Sequence, residues 1–353
     1  MTLAIGVTVT GVDEGTVDFV RQAERLGAST VWVPEFWMYD ALTPVAYLAA
    51  TTETIALGTA IAQLGTRTPA MLAMSAMSLQ ALSGGRFVLG IGTSGPQVME
   101  GWHGVKFDRP VARTRETIEI VRMITSGARL GYDGEIYTLP LPDGEGRSLR
   151  SPAPPVHVPI YVASLGPANL RLTGELADGW IGNSFFPETA GVFFDPIRDA
   201  AESAGRTLDA IDLTVSVSLE LTDAVEEAGR RHADGYAFTF GAMGSATRNF
   251  YNDAFARQGY GDDVAEVQRL WLAGDREVAA RRVPIEIGLG TNLIGTDDLV
   301  VERLRRYHDA GVNQLRVSVV GDTNEARLDQ LGRLIDLVMI VNAASDGVSD
   351  PGL

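Results

Sequence analysis

Apolar residues recur along this chain in two rhythms. Leu3, Ile5, Val7 and Val9 alternate with small or polar residues, the period of a strand with one buried face. Val17, Val20, Ala23 and Leu26 then follow at helical spacing, with Gly27 as the stop. Residues 29–35 read as a second strand, 43–52 as a helix, 55–62 as a third strand and 69–82 as a helix rich in Ala and Met. The apolar run 87–91 is a fourth strand, with its helix at 111–125. Strands five to eight fall at 159–163, 179–183, 212–219 and 314–320. Helices are read at 166–177, 189–204, 297–310 and 325–343. Such alternation predicts a parallel sheet with helical crossovers. Eight strands predict a closed (β/α)8 TIM barrel rather than an open doubly wound sheet.

Two stretches break the rhythm. Residues 127–155 carry Gly, Pro and Asp around short strand-like pieces, and read as an inserted hairpin or lid over the barrel mouth. Residues 223–282 hold two or three extra helices between strands seven and eight. The organisation expected is one barrel domain over residues 1–344 and a disordered tail at 345–353.

Composition narrows the chemistry. The chain of 353 residues has no cysteine, which removes disulfides, thiolate metal sites and cysteine nucleophiles. Its net charge of −16 argues against nucleic acid or an anionic membrane as partner. Lys106 is the only lysine, so Schiff-base chemistry has one candidate, in a loop. No basic leader segment and no eighteen-residue apolar run appear, and the expectation is a soluble, cytoplasmic protein. Four scattered histidines, without paired spacing, give no metal site.

In a barrel of this type the active site forms at the C-terminal ends of the strands. Strand four ends in Gly90-Ile-Gly92-Thr93-Ser94-Gly95, whose glycines and free peptide N–H groups suit an anion or a close ligand; a plain Gly-rich turn is the alternative. Strand five ends in Ser164-Leu165-Gly166 before a helix N-terminus, a second anion-friendly junction. Strand two ends in Glu35, flanked by Phe36 and Trp37. Glu35 is either a partly desolvated carboxylate available for proton transfer or one paired with an arginine at the rim. Gln63 and Asn183 end strands three and six. His103 lies beside Trp102, just past the strand-four loop, as a second proton-transfer candidate. Arg316 and Ser318 are possible inward positions on strand eight.

The sequence resembles the luciferase-like flavin and deazaflavin oxidoreductases. It is most similar to their coenzyme F420-dependent branch, which includes the methylenetetrahydromethanopterin reductases. The segments carrying the resemblance are Val31-Trp-Val-Pro-Glu35, Asp40-Ala-Leu-Thr-Pro44, Ile55-Ala-Leu-Gly-Thr59, Arg67-Thr-Pro69, Leu82-Ser-Gly-Gly-Arg-Phe-Val-Leu-Gly-Ile-Gly-Thr-Ser-Gly95 and Ala177-Asp-Gly-Trp180, with Gly295-Thr and Ala310-Gly-Val312 further on.

The resemblance implies a barrel with an insertion, assembled as a homodimer, and a non-prolyl cis peptide at Ala60–Ile61 behind the cofactor ring. It places the cofactor phosphate against Thr93, Ser94 and the Ser164–Gly166 turn, with Gln63, Gly92 and Asn183 completing the cofactor site. Many relatives carry histidine where this chain has Phe36, which leaves Glu35 or His103 as the catalytic acid. Trp37, Trp102 and Phe107 would wall the substrate pocket. The activity implied is transfer of a hydride between the C5 carbon of F420 and a small organic substrate with a reducible C=C or C=N carbon. A two-component monooxygenase using FMN is the alternative, and a non-catalytic flavin-binding paralogue a third reading.

Overall fold

A computed structural model describes residues 2–244 and 249–346. The first half of the chain contributes β1 (Ala4–Thr8), α1 (Glu14–Leu26), β2 (Thr30–Val33), α2 (Leu42–Thr51), β3 (Ala56–Thr59), β4 (Ala62–Gln63), α3 (Pro69–Ser83), β5 (Phe87–Gly92), α4 (Pro96–Met99) and α5 (Pro110–Thr125). Next come β6 (Tyr132–Asp133), β7 (Thr138–Leu139), β8 (Ile160–Ala163), α6 (Pro167–Leu176), β9 (Gly179–Gly182), α7 (Gly191–Ser203) and β10 (Asp212–Leu221). The last part is α8 (Val225–Ala242), α9 (Phe250–Phe255), α10 (Gly261–Leu272), α11 (Arg276–Arg282), α12 (Ile285–Gly290), β11 (Leu293–Gly295), α13 (Asp297–Asp309), β12 (Gln314–Val319) and α14 (Asn324–Asp346).

The strands pair in the order β10, β12, β1, β2, β3, β5, β8, β9, and β9 pairs back to β10. All these pairings are parallel, so the sheet closes into the expected eight-stranded barrel. Closure follows from the residue pattern. Leu213, Val215, Val217 and Leu219 on β10, and Leu315, Val317 and Val319 on β12, are buried in the large core between sheet and helices. The alternate residues, Thr214, Ser216 and Ser218 with Gln314, Arg316 and Ser318, therefore point into the bore. A separate apolar cluster of Trp32, Ala60, Tyr161 and Ile181 fills the bore, with the Trp32 and Tyr161 rings 5.8 Å apart. Gly58 makes room for that plug, since a Cβ there would lie 2.3 Å from the Trp32 ring.

Three sequence expectations change. Strand three is broken into β3 and β4 at Ala60–Ile61, a non-prolyl peptide bond that is cis. The 127–155 segment does contain a hairpin, β6 paired antiparallel with β7. It is not a lid, because it is tied to α5 on the barrel wall. The buried Glu116 carboxylate accepts from the backbone N–H groups of Glu135, Ile136 and Tyr137. Lastly, among the described residues the stretch read as two or three extra helices holds four α-helices, α8 to α11, with a π-helical turn at Ala256–Tyr260, and α12 and β11 precede α13. Of the expected tail, Ser345 and Asp346 continue α14, while 347–353 lie outside the described residues.

Candidate active site

A cavity of about 1060 Å³ opens at the C-terminal ends of the strands. All ten residues expected to hold a cofactor line it: Ala60, Ile61, Gln63, Gly92, Thr93, Ser94, Ser164, Leu165, Gly166 and Asn183. The strand-four loop turns sharply at Ser94, whose φ of 57° is left-handed, and Gly95 leads into the short α4. The glycines before it have a structural cause as well. A Cβ on Gly90 would sit 1.9 Å from the Thr59 carbonyl oxygen, so β3 and β5 could not approach as they do. Thr59 in turn donates its hydroxyl to the Gly90 carbonyl at 2.7 Å. Across the mouth, Ser164 is buried, its hydroxyl paired with that of Thr173 at 3.0 Å and its carbonyl accepting from Trp180. Its side chain is thereby committed, while Leu165 and the Gly166–Asn169 start of α6 also face the cavity.

Glu35 lines the cavity, but each carboxylate oxygen already accepts two hydrogen bonds. Oε1 takes the Ala41 N–H at 3.2 Å and Arg67 Nη2 at 2.6 Å. Oε2 takes the Gln63 N–H at 2.8 Å and Arg67 Nη1 at 2.9 Å. The bond to Glu35 raises the Arg67 pKa above its ordinary value, burial acting against it. Of the two sequence readings, the geometry matches the rim pair: a bidentate clamp joining the end of β2 to β4 and the loop beyond. As an available acid Glu35 is poorly placed.

His103 is exposed in the turn after α4 and does not line the cavity. Neither does Trp102 nor Phe107. Phe107 stands behind Phe250, ring centroids 6.3 Å apart, and Phe250 forms the wall in its place. Trp102 is 64% exposed and faces Trp37 across a side cleft of about 330 Å³ with Gln97, Val98 and Gly101. Trp37, Gln97 and Val98 line both spaces, so cleft and cavity are neighbours. Phe36 also lines the cavity. Its place just past the strand-four loop put His103 near the site, and the resemblance put Trp102 and Phe107 on the substrate wall, but the chain after α4 carries all three off the cavity lining.

Four buried polar atoms on cavity-lining residues have no hydrogen-bond partner among the described residues: Thr8 Oγ1, Gln63 Oε1, Asn169 Oδ1 and Arg316 Nε. Buried polar groups in folded proteins are almost always satisfied, so this grouping marks a place where a polar ligand completes the structure. Gln63 is 3% exposed; its Nε2 donates to the Glu35 carbonyl at 3.0 Å, which leaves Oε1 as a free acceptor. Arg316 is 8% exposed and donates from Nη1 to the Ala60 carbonyl at 3.2 Å. Burial pushes its pKa down to about 10, with Tyr251 acting weakly the other way. Thr8, Ser216 and Tyr251 also line the cavity and were not singled out from the sequence. For Ser216 the signal was present in the polar positions of 212–219, which alternate with buried aliphatics. Tyr251, from a short helix, left none.

Comparison with known proteins gives a consistent picture. The model of the luciferase-like monooxygenase family matches residues 8–314. A Mycobacterium tuberculosis protein named "Putative coenzyme F420-dependent oxidoreductase" is 34% identical over 88% of this chain and 92% of its own length. The 5,10-methylenetetrahydromethanopterin reductase of Archaeoglobus fulgidus is 29% identical over 90% of this chain and 93% of its own. Among solved structures, the coenzyme F420-dependent tetrahydromethanopterin reductase of Methanopyrus kandleri superposes with a TM-score of 0.78 at 22% identity. That match covers 97% of this chain and 100% of the other.

Proposed function

The chain belongs to the luciferase-like monooxygenase family, and on that premise we propose that it is an oxidoreductase working with coenzyme F420. It transfers a hydride between the deazaflavin and a small organic molecule. The observation that carries this reading is the cavity itself. It combines a backbone-rich rim at Gly92–Ser94 and Gly166–Asn169 with apolar walls at Phe36, Ile61 and Ile181, and has unpartnered polar atoms on its lining. Such a surface suits a molecule that is anionic at one end and a flat heteroaromatic ring at the other. The 34% identical relative, named for the same cofactor, supports the choice.

When bound, F420 supplies a transferable hydride at C5; the protein supplies binding and orientation. N–H groups of the Thr93–Gly95 loop and of the α6 start would hold the phosphate end. Ile61 and Ala60 would back the ring, and Gln63 would offer it the unpartnered Oε1. The Glu35–Arg67 clamp fixes the rim against which the substrate sits, and Phe36 and Trp37 exclude water from it. The exposed cleft between Trp37 and Trp102 receives an apolar part of the substrate. The proton that accompanies hydride transfer to carbon comes from solvent or from the substrate, because neither His103 nor Glu35 offers an available acid at the cavity. The active form is a homodimer, with a second copy covering the exposed Tyr47, Met71, Met74 and Leu82 of α2 and α3.

Turnover under nitrogen tests the reading. Purified protein with reduced F420 and a panel of enones, imines and ketones should restore the fluorescence of oxidised cofactor with at least one class. Activity confined to reduced FMN with oxygen consumption would instead make the chain a two-component monooxygenase.

A further inference from the structure

Hydride transfer to a neutral C=C, C=N or C=O carbon leaves an electron pair on the neighbouring atom, and that atom must take up a proton. Among the described residues the cavity lining carries four ionisable side chains: Glu35, Tyr251, Asp253 and Arg316. Glu35 is closed off by Arg67, and Asp253 is exposed to solvent. Arg316 is a cation that holds the Ala60 carbonyl. Tyr251 is left. Its backbone N–H is bound to Asn249 Oδ1 at 3.0 Å, whereas its hydroxyl has no hydrogen-bond partner among the described residues.

The start of α9 is held firmly. Asn249 is its N-cap, with Oδ1 accepting from the N–H groups of Tyr251 and Asn252 at 3.0 and 3.3 Å. The same side chain donates from Nδ2 to the Thr239 and Phe240 carbonyls in the last turn of α8, at 3.1 and 3.0 Å. Asn249 is 5% exposed, so this buried amide pins α9 to α8, and Tyr251 is presented to the cavity from the helices that cover it. On the barrel side, Arg316 has no ion pair among the described residues and lies close enough to Tyr251 for the two charges to act on each other. Burial raises the pKa of the phenol, and the Arg316 charge opposes the rise. The phenol thus keeps its proton near neutral pH, while a phenolate formed there meets an uncompensated guanidinium.

We propose that Tyr251 is the catalytic acid of this cavity, passing a proton drawn from solvent to the acceptor while Arg316 stabilises the phenolate left behind. The inference rests on the F420 reading and deepens it. A ring backed by Ala60 and Ile61 offers its other face to the covering helices, and an acceptor on that face lies between the C5 hydride and Tyr251. The C5–H bond breaks with its electron pair, which forms the new C–H bond of the acceptor. The π pair of the acceptor takes the Tyr251 proton, and the phenolate recovers one from solvent. The cofactor is oxidised and the acceptor reduced by the same pair of electrons.

A spectroscopic and a kinetic measurement test the role together. In the cofactor-free protein, the difference in tyrosinate absorbance between wild type and Tyr251→Phe isolates the Tyr251 titration. The same difference in an Arg316→Met background should lie at higher pH, since the charge that favours the phenolate is gone. Kinetics use reduced F420 under nitrogen and whichever enone, imine or ketone wild type reduces. Tyr251→Phe should lower kcat by about a hundredfold, the usual weight of a general acid, and leave the F420 dissociation constant unchanged. It should also lose the fall in rate at high pH, where the wild-type phenol gives up its proton. A titration that Arg316→Met leaves in place, an unchanged pH profile, or lost F420 affinity in place of lost kcat would overturn the role of Tyr251 alone. A wild type that binds no F420, or reduces no acceptor with it, would overturn the cofactor reading and this inference with it.

Discussion

At the scale of single residues, the decisive facts concern which polar atoms are already engaged. Glu35 looks like a candidate acid in the sequence because a carboxylate follows an apolar strand. In the fold it accepts four hydrogen bonds, two of them from one guanidinium, and its side chain is buried. Removing the charge breaks the bidentate pair and leaves Arg67 only the more distant Asp40 at 3.8 Å, so Glu35→Gln should cost about 2–4 kcal/mol of stability, read from denaturant unfolding. Unchanged stability with lost turnover would return Glu35 to the role of acid. No arrangement of sequence neighbours announces such a pairing, since Arg67 is 32 positions away and meets Glu35 only because β2 and β4 end at the same rim. The orphaned atoms were equally invisible. Gln63 was picked out as a strand-end residue, yet that its Oε1 has no partner is a fact of packing alone.

At the scale of elements, the order of strands and helices could be read almost completely, because buried parallel strands are short apolar runs separated by helical periods. The break between β3 and β4 was foreshadowed only by resemblance, for 55–62 reads as one continuous strand. Strands seven and eight carry the clearest chemical signal. Thr214, Ser216 and Ser218, and Gln314, Arg316 and Ser318, alternate with aliphatics that face the outer helices. That pattern places polar groups inside the barrel, where a purely structural bore would be filled by branched apolar side chains. The hairpin at 127–155 shows the opposite case. Its composition announces an insertion, but its docking depends on Glu116, a helix residue that binds three hairpin N–H groups from the barrel wall. A segment held in this way is a strap on α5, and the covering of the cavity falls to Phe238, Met243, Phe250 and Tyr251 from the helices between strands seven and eight.

At the scale of the whole molecule, the outer face of α2 and α3 bears on assembly. Apolar residues on α2 and α3 are more exposed than a solvated helix face requires: Met71, Met74, Leu82 and Tyr47 are each at least half exposed. Light scattering should give a dimer, and Met71→Glu with Met74→Glu should return it to monomers without loss of helix content. A wild-type monomer at micromolar concentration would contradict that assembly. The central claim, that the cavity is built for a deazaflavin, is tested most directly by titrating the purified protein with F420 and, separately, with FMN, following cofactor fluorescence. The account predicts saturable binding of F420 that is at least tenfold tighter than that of FMN. A preference for FMN would contradict it and make oxygen chemistry the function of the site.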